Sequence, residues 1–461
     1  MRAWILVAVA AFTLTSSLVG STPVAADTEI DVDGQVRLRL EAWNFDRGSA
    51  LTQGRLLRTD TRHVVLQRAR FGLRARVSPD VTAYILAQDA RTWGATGTLS
   101  LLRNLDVHQA WGEVRHRFDK TSLRVRGGRQ KLSYGIERII GGLEWANPAR
   151  AFDALKVEVR RSIWTLDLDA ARVLQSGQSQ SLVTGRDQPV LRGLLAGNDD
   201  VFVAHNRFDI PDMTLHVDAY GMYRDTDPQT VVWDTLLNDS PAAAVITPGI
   251  YETTLGEHVA GTFGRWRFDQ EFAYMFGKRF ERGVTPLTSA DLRSFLFSAQ
   301  VHVRVAERLK PTLGVGFDFL SGDAVKGDGK NELFSIARIF HTGHKFYGLM
   351  DVAPFLAGAA GLVDPYGRIG ISGPRGLRAQ AVVHVFSVDK PARQFEDLEE
   401  FGAKEARSYL GTEVDATVSW LVASKTRLEL GGGVFTPGDT LKETGSGDTV
   451  YWGYLQGLLA F

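Results

Sequence analysis

Apolar and polar side chains alternate with a period of two residues along most of the chain, and this pattern constrains the fold more than any other feature. Between Ala69 and Val77 every second residue is apolar, and three of the four residues between them are arginine. The same alternation recurs in 295–305 and in 410–420. Successive side chains of a β-strand point to opposite faces, so this period predicts strands.

The alternation predicts eighteen strands. They lie near 35–45, 63–77, 81–91, 105–118, 121–131, 153–161, 163–174, 200–208, 213–224, 255–266, 269–278, 293–306, 311–320, 361–372, 376–387, 409–421, 425–435 and 449–461. Sixteen strands remains an alternative, because periodicity fixes the ends of strands poorly. Both numbers are even, as expected for an antiparallel barrel in which the first strand pairs with the last.

The predicted connections alternate between short and long. The turns at Pro79–Asp80 and Asp119–Lys120 are tight, whereas 92–104 and 132–152 are long. Outer-membrane barrels have short periplasmic turns and long external loops, and a soluble sandwich has no reason to keep its long loops at one end. We therefore predict an all-β chain that forms one transmembrane, antiparallel, up-and-down barrel with short periplasmic turns and long extracellular loops.

Both ends of the chain agree with export to an outer membrane. Arg2 precedes an apolar run from Trp4 to Leu14, which is shorter than the roughly 17–25 residues of a membrane helix. Small residues up to Ala26 suit a signal peptidase, so we predict a cleaved signal peptide at 1–26 and a barrel domain at 27–461. The last strand ends on Phe461. This residue resembles the terminal aromatic that the bacterial barrel-assembly machinery recognises. We therefore expect this machinery and outer-membrane lipid as partners.

Charge is balanced over the chain but unevenly distributed. The 53 basic and 53 acidic residues argue against a nucleic-acid binder that relies on positive charge. Residues 37–161 nevertheless contain 24 basic and 12 acidic side chains. Because neighbouring strands of a barrel follow each other in sequence, one wall of its lumen is expected to be basic and the opposite wall more acidic.

On the first strands, most of the alternate positions that carry polar side chains are arginine. If the apolar parity faces lipid, the polar parity lines a lumen. The candidate lumenal residues on these strands are Arg68, Arg70, Arg74, Arg76, Arg124 and Arg126. Such a wall attracts anions, and guanidinium groups suit carboxylates and phosphates. The alternative is that these arginines pair with lumenal acids such as Glu41, Asp167, Asp169 and Asp218 and brace the barrel.

Two blocks of sequence resemble the alginate-export family of outer-membrane porins. The first block, residues 128–138, reads GRQKLSYGIER, and the second, residues 145–153, reads WANPARAFD. Shorter matches are HTGHKFYG at 341–348 followed by Asp351, FDFLSGD at 317–323, FTPGD at 435–439 and YLQ at 454–456. The resemblance implies a monomeric barrel of eighteen strands whose electropositive constriction passes an anionic polysaccharide.

The resemblance also adds three arginines to the candidate lumen. Arg129 and Arg138 match arginines of the family's G-R-Q block, and Arg150 matches the arginine before F-D. Arg150 could instead hold the long loop that contains it folded into the pore. Gly127 and Gly128 permit either a bulge or a close approach of strands, so the face of Arg129 depends on which occurs.

We therefore expect a porin rather than an enzyme. The chain has no cysteine and none of the common nucleophile, zinc-protease or phosphate-loop motifs, so we assign no catalytic residue, metal ligand or cofactor. The expected solutes are acidic oligosaccharides or polysaccharides or other small anions. The alternatives are a general porin for small solutes and a structural or adhesive barrel that is plugged by its long loops.

Overall fold

The structure, a computed structural model, consists almost entirely of strands. It describes residues 28–47, 56–94, 105–172, 199–226, 229–232, 244–247, 250–280, 289–323, 332–333, 340–391, 408–443 and 447–461. The predicted signal peptide lies outside the described residues.

The described residues form 21 strands. They are β1 (Glu29–Phe45), β2 (Arg58–Ser78), β3 (Val81–Thr92), β4 (Leu105–Phe118), β5 (Thr121–Gln130), β6 (Phe152–Arg161), β7 (Trp164–Arg172), β8 (Asp199–Ile210), β9 (Leu215–Thr226), β10 (Gln229–Val232), β11 (Ala244–Thr247), β12 (Ile250–Phe263), β13 (Trp266–Phe280), β14 (Ser289–Arg304), β15 (Thr312–Leu320), β16 (Glu332–Leu333), β17 (Leu362–Ser372), β18 (Arg378–Ser387), β19 (Tyr409–Ala423), β20 (Thr426–Pro437) and β21 (Val450–Ala460).

Helices in the described residues are short. Two α-helices span Val352–Ala357 and Asp439–Glu443, and single 3₁₀ turns span Pro211–Met213, Gly343–Lys345 and Gly358–Ala360. No helix in this part of the chain is long and apolar enough to cross a membrane.

Eighteen of the strands close into one antiparallel barrel. Each of them pairs with its neighbours in the chain, and β1 also pairs with β21, which closes the sheet. The other three strands are a hairpin of β10 and β11 and the two-residue strand β16. All eighteen barrel strands overlap the eighteen ranges predicted from the alternation, so the predicted fold is confirmed.

The connections between barrel strands also alternate as predicted. Turns at one end of the barrel contain two to seven residues, whereas connections at the other end contain eight to 41. The terminal Phe461 lies at the end with the short turns, where its backbone exchanges two hydrogen bonds with Gly34.

The outer surface of the barrel is apolar, and the lumen is polar. Leu38, Phe71 and Ile85 expose 42%, 49% and 46% of their surface, whereas the arginine beside Leu38 in sequence, Arg39, exposes 2%. Soluble proteins rarely expose contiguous apolar patches larger than a few hundred Å². An apolar face that continues around eighteen strands is therefore suited to hydrocarbon, and the polar parity encloses the lumen.

The half of the lumen near the long connections is partly filled by chain. A cluster of buried apolar residues joins the inner faces of the last barrel strands to the segment 340–361, whose Val352 and Leu356 are completely buried. A second cluster joins the inner faces of β6 to β9 to Leu132 and Tyr134 of the β5–β6 connection. These two segments narrow the lumen and position the site.

Candidate functional site

The connection between β5 and β6, residues 131–151, folds into the lumen, and we call it the inner loop. On one side it is held by the basic wall of β1 and β2. Nη1 of Arg37 donates to the carbonyl oxygen of Glu144 at 2.8 Å, and Nη1 of Arg39 donates to that of Trp145 at 2.9 Å. The guanidinium of Arg39 also stacks 3.8 Å above the Trp145 ring.

The inner loop crosses the lumen to the opposite wall. The hydroxyl of Tyr134 donates to the carboxylate of Asp169 on β7, and its ring lies against His205 on β8. Arg138 forms a buried ion pair with Asp318 on β15, with 2.8 Å between Nη2 and Oδ1. Burial by itself lowers the pKa of Arg138, but Asp318 raises it above its ordinary value, so Arg138 stays charged.

The segment 340–361 supports the inner loop from the other side. The Trp145 ring stacks on His344 with 4.0 Å between ring centroids, and the backbone nitrogen of Gly141 donates to the carbonyl oxygen of Phe340. The segment is itself fixed to β19, because Glu413 and Asp415 accept hydrogen bonds from its backbone. The two segments together form the constriction of the lumen.

Three cationic side chains surround the carboxylate of Glu144 at the constriction. Its carboxylate lies 3.2 Å from Arg68 Nη2, 3.0 Å from Arg70 Nη1 and 3.6 Å from Lys131 Nζ. Partial burial by itself raises the pKa of Glu144, but Arg70, Arg68 and Lys131 bring it below its usual value. Glu144 therefore remains ionised at neutral pH and ties the inner loop to β2.

The predicted residues Arg68, Arg70, Arg138 and Arg150 mainly position the inner loop. Arg68 and Arg138 are only 3% and 4% exposed. Arg150 donates to the backbone carbonyls of Gly141 and His341, at 3.3 and 3.5 Å. This position agrees with the alternative given for Arg150 above, in which the side chain holds the inner loop folded into the pore.

A second group of lumenal side chains lies between the constriction and the short turns. Strand pairing sets Arg74 opposite Tyr84 and Tyr84 opposite Trp111, in one row across β2, β3 and β4. The guanidinium of Arg74 lies 5.0 Å from the Tyr84 ring centroid, and the two aromatic ring centroids are 5.4 Å apart. Arg126 lies on the Trp111 ring at 4.0 Å.

One carboxylate in the next row toward the short turns contacts three guanidinium groups. Glu113 stands opposite Arg126 on β5, which donates to it from Nε at 2.9 Å. Arg124 and Arg115 lie 3.5 and 3.6 Å from the same carboxylate. We call this set the arginine–aromatic patch. Its members are Arg74, Arg115, Arg124, Arg126, Glu113, Tyr84 and Trp111.

The arginine–aromatic patch carries a net positive charge. Arg124 also reaches Glu158 of β6 at 3.4 Å. Arg74 has no ion-pair or hydrogen-bond partner among the described residues. The side chains of Arg124 and Arg126 are 26% and 23% exposed, so they remain accessible to a solute in the lumen.

Two other predicted arginines lie at the rims of the barrel. Arg76 is at the short-turn end and pairs with Glu29 at 2.6 Å and Asp31 at 2.8 Å. Arg129 is at the opposite end of β5, where it lies 3.4 Å from Asp106.

Arg129 does not share the strand parity of Arg124 and Arg126, although its guanidinium reaches Asp106, which is paired with the lumenal Gln88. Strand pairing continues through Gly127 and Gly128 without a bulge, so Arg129 has the parity of Val125, which faces outward. Gly128 instead allows a close approach of strands, because a Cβ atom there would overlap the carbonyl oxygen of Ala110.

Of the four acids expected to brace lumenal arginines, Glu41 does so through Arg39, whereas Asp169 accepts a hydrogen bond from Tyr134. Glu41 pairs with Arg39 and Arg47, Asp167 pairs with Lys156, and Asp218 lies beside Arg207 and three histidines. The acids that do contact the predicted arginines include Glu144 and Asp318, which sequence reasoning missed. The roles of Tyr84 and Trp111 were also missed, although both have the lumenal parity of their strands.

The comparisons with known proteins agree with this architecture. A family model described as alginate export matches residues 29–454. OccK3 (OpdO) of Pseudomonas aeruginosa superposes with a TM-score of 0.54 at 12% identity, covering 94% of this chain and 96% of that chain. OccK8 (OprE) of the same organism has a TM-score of 0.54 at 13% identity, with 94% and 98% covered.

The outer membrane protein opdK of Pseudomonas aeruginosa gives a TM-score of 0.51 at 10% identity and covers 94% of this chain and 99% of its own. At these identities the likeness concerns the fold alone. No curated protein matches the sequence.

Proposed function

The chain belongs to the alginate export family and has the barrel fold of outer-membrane porins, and from that premise we propose that it passes anionic solutes through its lumen. It acts as a channel and not as an enzyme. The observation that carries the proposal is the arginine–aromatic patch, which places three guanidinium groups around the buried carboxylate of Glu113 and a fourth, that of Arg74, against the Tyr84 ring on the inner wall. Low-dielectric walls strengthen the field of such a patch and attract anions into the lumen.

The preferred solute is an acidic oligosaccharide or polysaccharide of the alginate type. A uronate unit combines a carboxylate with an apolar ring face. The carboxylate suits the unpaired guanidinium of Arg74, and the ring face suits Tyr84 and Trp111. Because Arg124 and Arg126 are shared with Glu113, they bind an anion weakly enough for it to leave, as conduction requires.

A plugged structural barrel is the second candidate function. The observation in its favour is that the inner loop and the segment 340–361 both occupy the lumen. A general porin for small solutes would share the arginine–aromatic patch but would not distinguish a uronate from a neutral sugar. Recordings of ion current therefore separate the three possibilities.

The cellular context belongs to the same proposal. Residues 1–26 direct export and are removed, and residues 27–461 insert as a monomer in the outer membrane of a Gram-negative cell. The apolar outer face contacts lipid there, and Phe461 presents the end of β21 to the barrel-assembly machinery. No nucleic acid and no cofactor takes part.

The test uses the purified full-length barrel in planar bilayers under a KCl gradient. We expect a reversal potential that shows anion preference, and a smaller one for Arg74→Ala. Arg308→Ala is the matched control, because it removes the same charge from an exposed turn outside the lumen. A cation-selective channel, or equal reversal potentials in wild type and Arg74→Ala, would refute the role of the patch.

The same recordings test the solute. An oligo-uronate on one side of the bilayer should block the current at concentrations where a neutral oligosaccharide of equal length does not. Equal block by both sugars supports a general porin, and a barrel without any conductance supports the plugged structural barrel.

A further inference from the structure

A cluster of histidines and carboxylates lies in the lumen wall on β8, β9, β12 and β13, away from the arginine–aromatic patch. His216 and Asp218 are two residues apart on β9, so both point to the same face. Strand pairing places His258 of β12 directly opposite Asp218. Asp218 and His258 are almost completely buried, whereas the side chain of His216 is 27% exposed to the lumen.

The three side chains direct one atom each at a common point. Nε2 of His216 lies 2.8 Å from Oδ2 of Asp218, and Nδ1 of His258 lies 3.2 Å from the same oxygen. All three atoms are within 4.8 Å of one another. A zinc ion bound by two imidazole nitrogens and a carboxylate oxygen has metal–ligand distances of about 2.0–2.2 Å, which this spacing permits after small shifts.

Each imidazole is held from behind by a second carboxylate. Nδ1 of His216 lies 2.7 Å from Oδ1 of Asp209, and Nε2 of His258 lies 3.2 Å from Oδ2 of Asp269. Histidines that bind metals usually donate their other ring N–H to such a partner, which fixes the tautomer and the orientation of the ring.

Without a cation, the two neutral imidazole rings have fewer N–H groups than the carboxylate oxygens that face them require. Both nitrogens of His216 and of His258 face carboxylate oxygens, but a neutral imidazole has only one N–H to donate. A metal ion at the common point would accept the remaining lone pair of each ring and one lone pair of Asp218. The alternative is that both rings are imidazolium ions.

Two further groups lie near Asp218 without blocking the common point. Nε of Arg207 and Nε2 of His205 are 3.4 and 3.3 Å from Oδ1, the other oxygen of the carboxylate. The tip of the inner loop lies above the cluster at Gly135, where a Cβ atom would be 3.8 Å from Nδ1 of His258. The missing side chain leaves room beside the cluster for water or a solute oxygen.

We propose that His216, Asp218 and His258 bind one divalent transition-metal ion of the zinc type in the wall of the lumen. Two imidazoles and one carboxylate suit such an ion, whereas calcium and magnesium prefer oxygen ligands alone. The three protein ligands leave a coordination position for water or for an anionic oxygen of a solute.

The test is titration of the metal-stripped, full-length barrel in detergent with Zn²⁺ alone. The chain has no cysteine, so thiolates contribute no background. We expect one Zn²⁺ per barrel and a loss of affinity of at least about 100-fold in His216→Ala and His258→Ala. His302→Ala is the matched control, because His302 is a lumenal histidine on β14 that contacts Gln300 and lies outside the cluster.

Asp209→Asn keeps the test valid if the ligand variants fail to fold, because the Asp209 side chain is 53% exposed at the end of β8. As a positioning residue it should lower Zn²⁺ affinity about 10- to 100-fold without changing the stoichiometry. Co²⁺ in place of Zn²⁺ should give a visible absorption band in wild type that is lost in His258→Ala. Absence of Zn²⁺ binding to the folded wild type, or equal affinity in His216→Ala and wild type, would overturn the proposal and favour two imidazolium ions.

Discussion

Replacing Arg138 by methionine should release the inner loop from the far wall of the barrel. Nη2 of Arg138 contacts Asp318, Nη1 donates to the Tyr347 hydroxyl at 3.1 Å, and the guanidinium lies 4.0 Å from the Phe346 ring centroid. Methionine keeps much of the length and the apolar contact but removes the charge and every donor. Asp318 is then left buried without its cation.

The magnitude follows from the burial of the pair. The two side chains are 1% and 3% exposed, so solvent screens their interaction little. Removing one partner of a buried ion pair costs about 3–5 kcal/mol. Since about 1.4 kcal/mol corresponds to a factor of ten, the population with a released loop should rise about 140- to 4,000-fold.

Limited proteolysis measures this population directly. Trypsin can cut after Lys131 and Arg150, both of which Arg138→Met retains, and the cleavage rate follows the open population when opening is fast. The double variant Arg138→Met/Asp318→Asn is the control, because it leaves no uncompensated charge and should recover most of the protection. Cleavage of Arg138→Met at the wild-type rate, or still faster cleavage of the double variant, would refute the reasoning.

Three further predictions concern other parts of the site. Because the pKa of Glu144 is lowered by Arg70 and Arg68, its ion pairs persist at and above the ordinary glutamate pKa of about 4.3 and are lost as pH falls below it. Glu144→Gln should therefore be more anion-selective than wild type at pH 7 and show a smaller rise in selectivity on acidification; identical pH curves for reversal potential would contradict this. Gly128→Ala should destabilise the β4–β5 pairing by about 1–3 kcal/mol, because Gly128 has φ of 124° and no room for a Cβ. Gly127→Ala is its control, since the nearest atom there is 3.8 Å away, and heat-modified migration on gels should show fewer folded barrels for Gly128→Ala alone. Trp111→Ala should weaken the block by an oligo-uronate more than it changes chloride selectivity, and equal loss of both would argue against stacking of the sugar ring.

The barrel could be predicted from sequence because each strand carries its own signal. Lipid on one face and water on the other impose the period of two on every strand, whatever its partners are. The main error was at the start of β1, which begins at Glu29 and not near residue 35. Glu29 and Asp31 resemble a polar tail in the sequence, but they pair with Arg76 across the sheet, which extends both strands.

The constriction could not be predicted in the same way. Arg37 and the carbonyl oxygen it binds are 107 residues apart, and no local pattern indicates that a connection turns into the lumen. Parity predicted the lumenal face for the arginines of β2 and for Arg124 and Arg126, but it did not fix the face of Arg129. It could not separate those that hold the inner loop from those that face open lumen, because the difference depends on where the loop lies.

That separation gives the arginines two different effects on an anion. Arg37 donates to two backbone carbonyls and to the Asn147 side chain, so its hydrogen-bonding capacity is largely used. Carbonyl oxygens do not neutralise its charge, however, so in the proposed function Arg37 attracts anions into the lumen without binding them. Arg74 has both its charge and its donors available, so it can hold a carboxylate. In the proposed function, attraction at the constriction and weak binding below it are thus assigned to different residues, so that a charged chain enters quickly and still leaves.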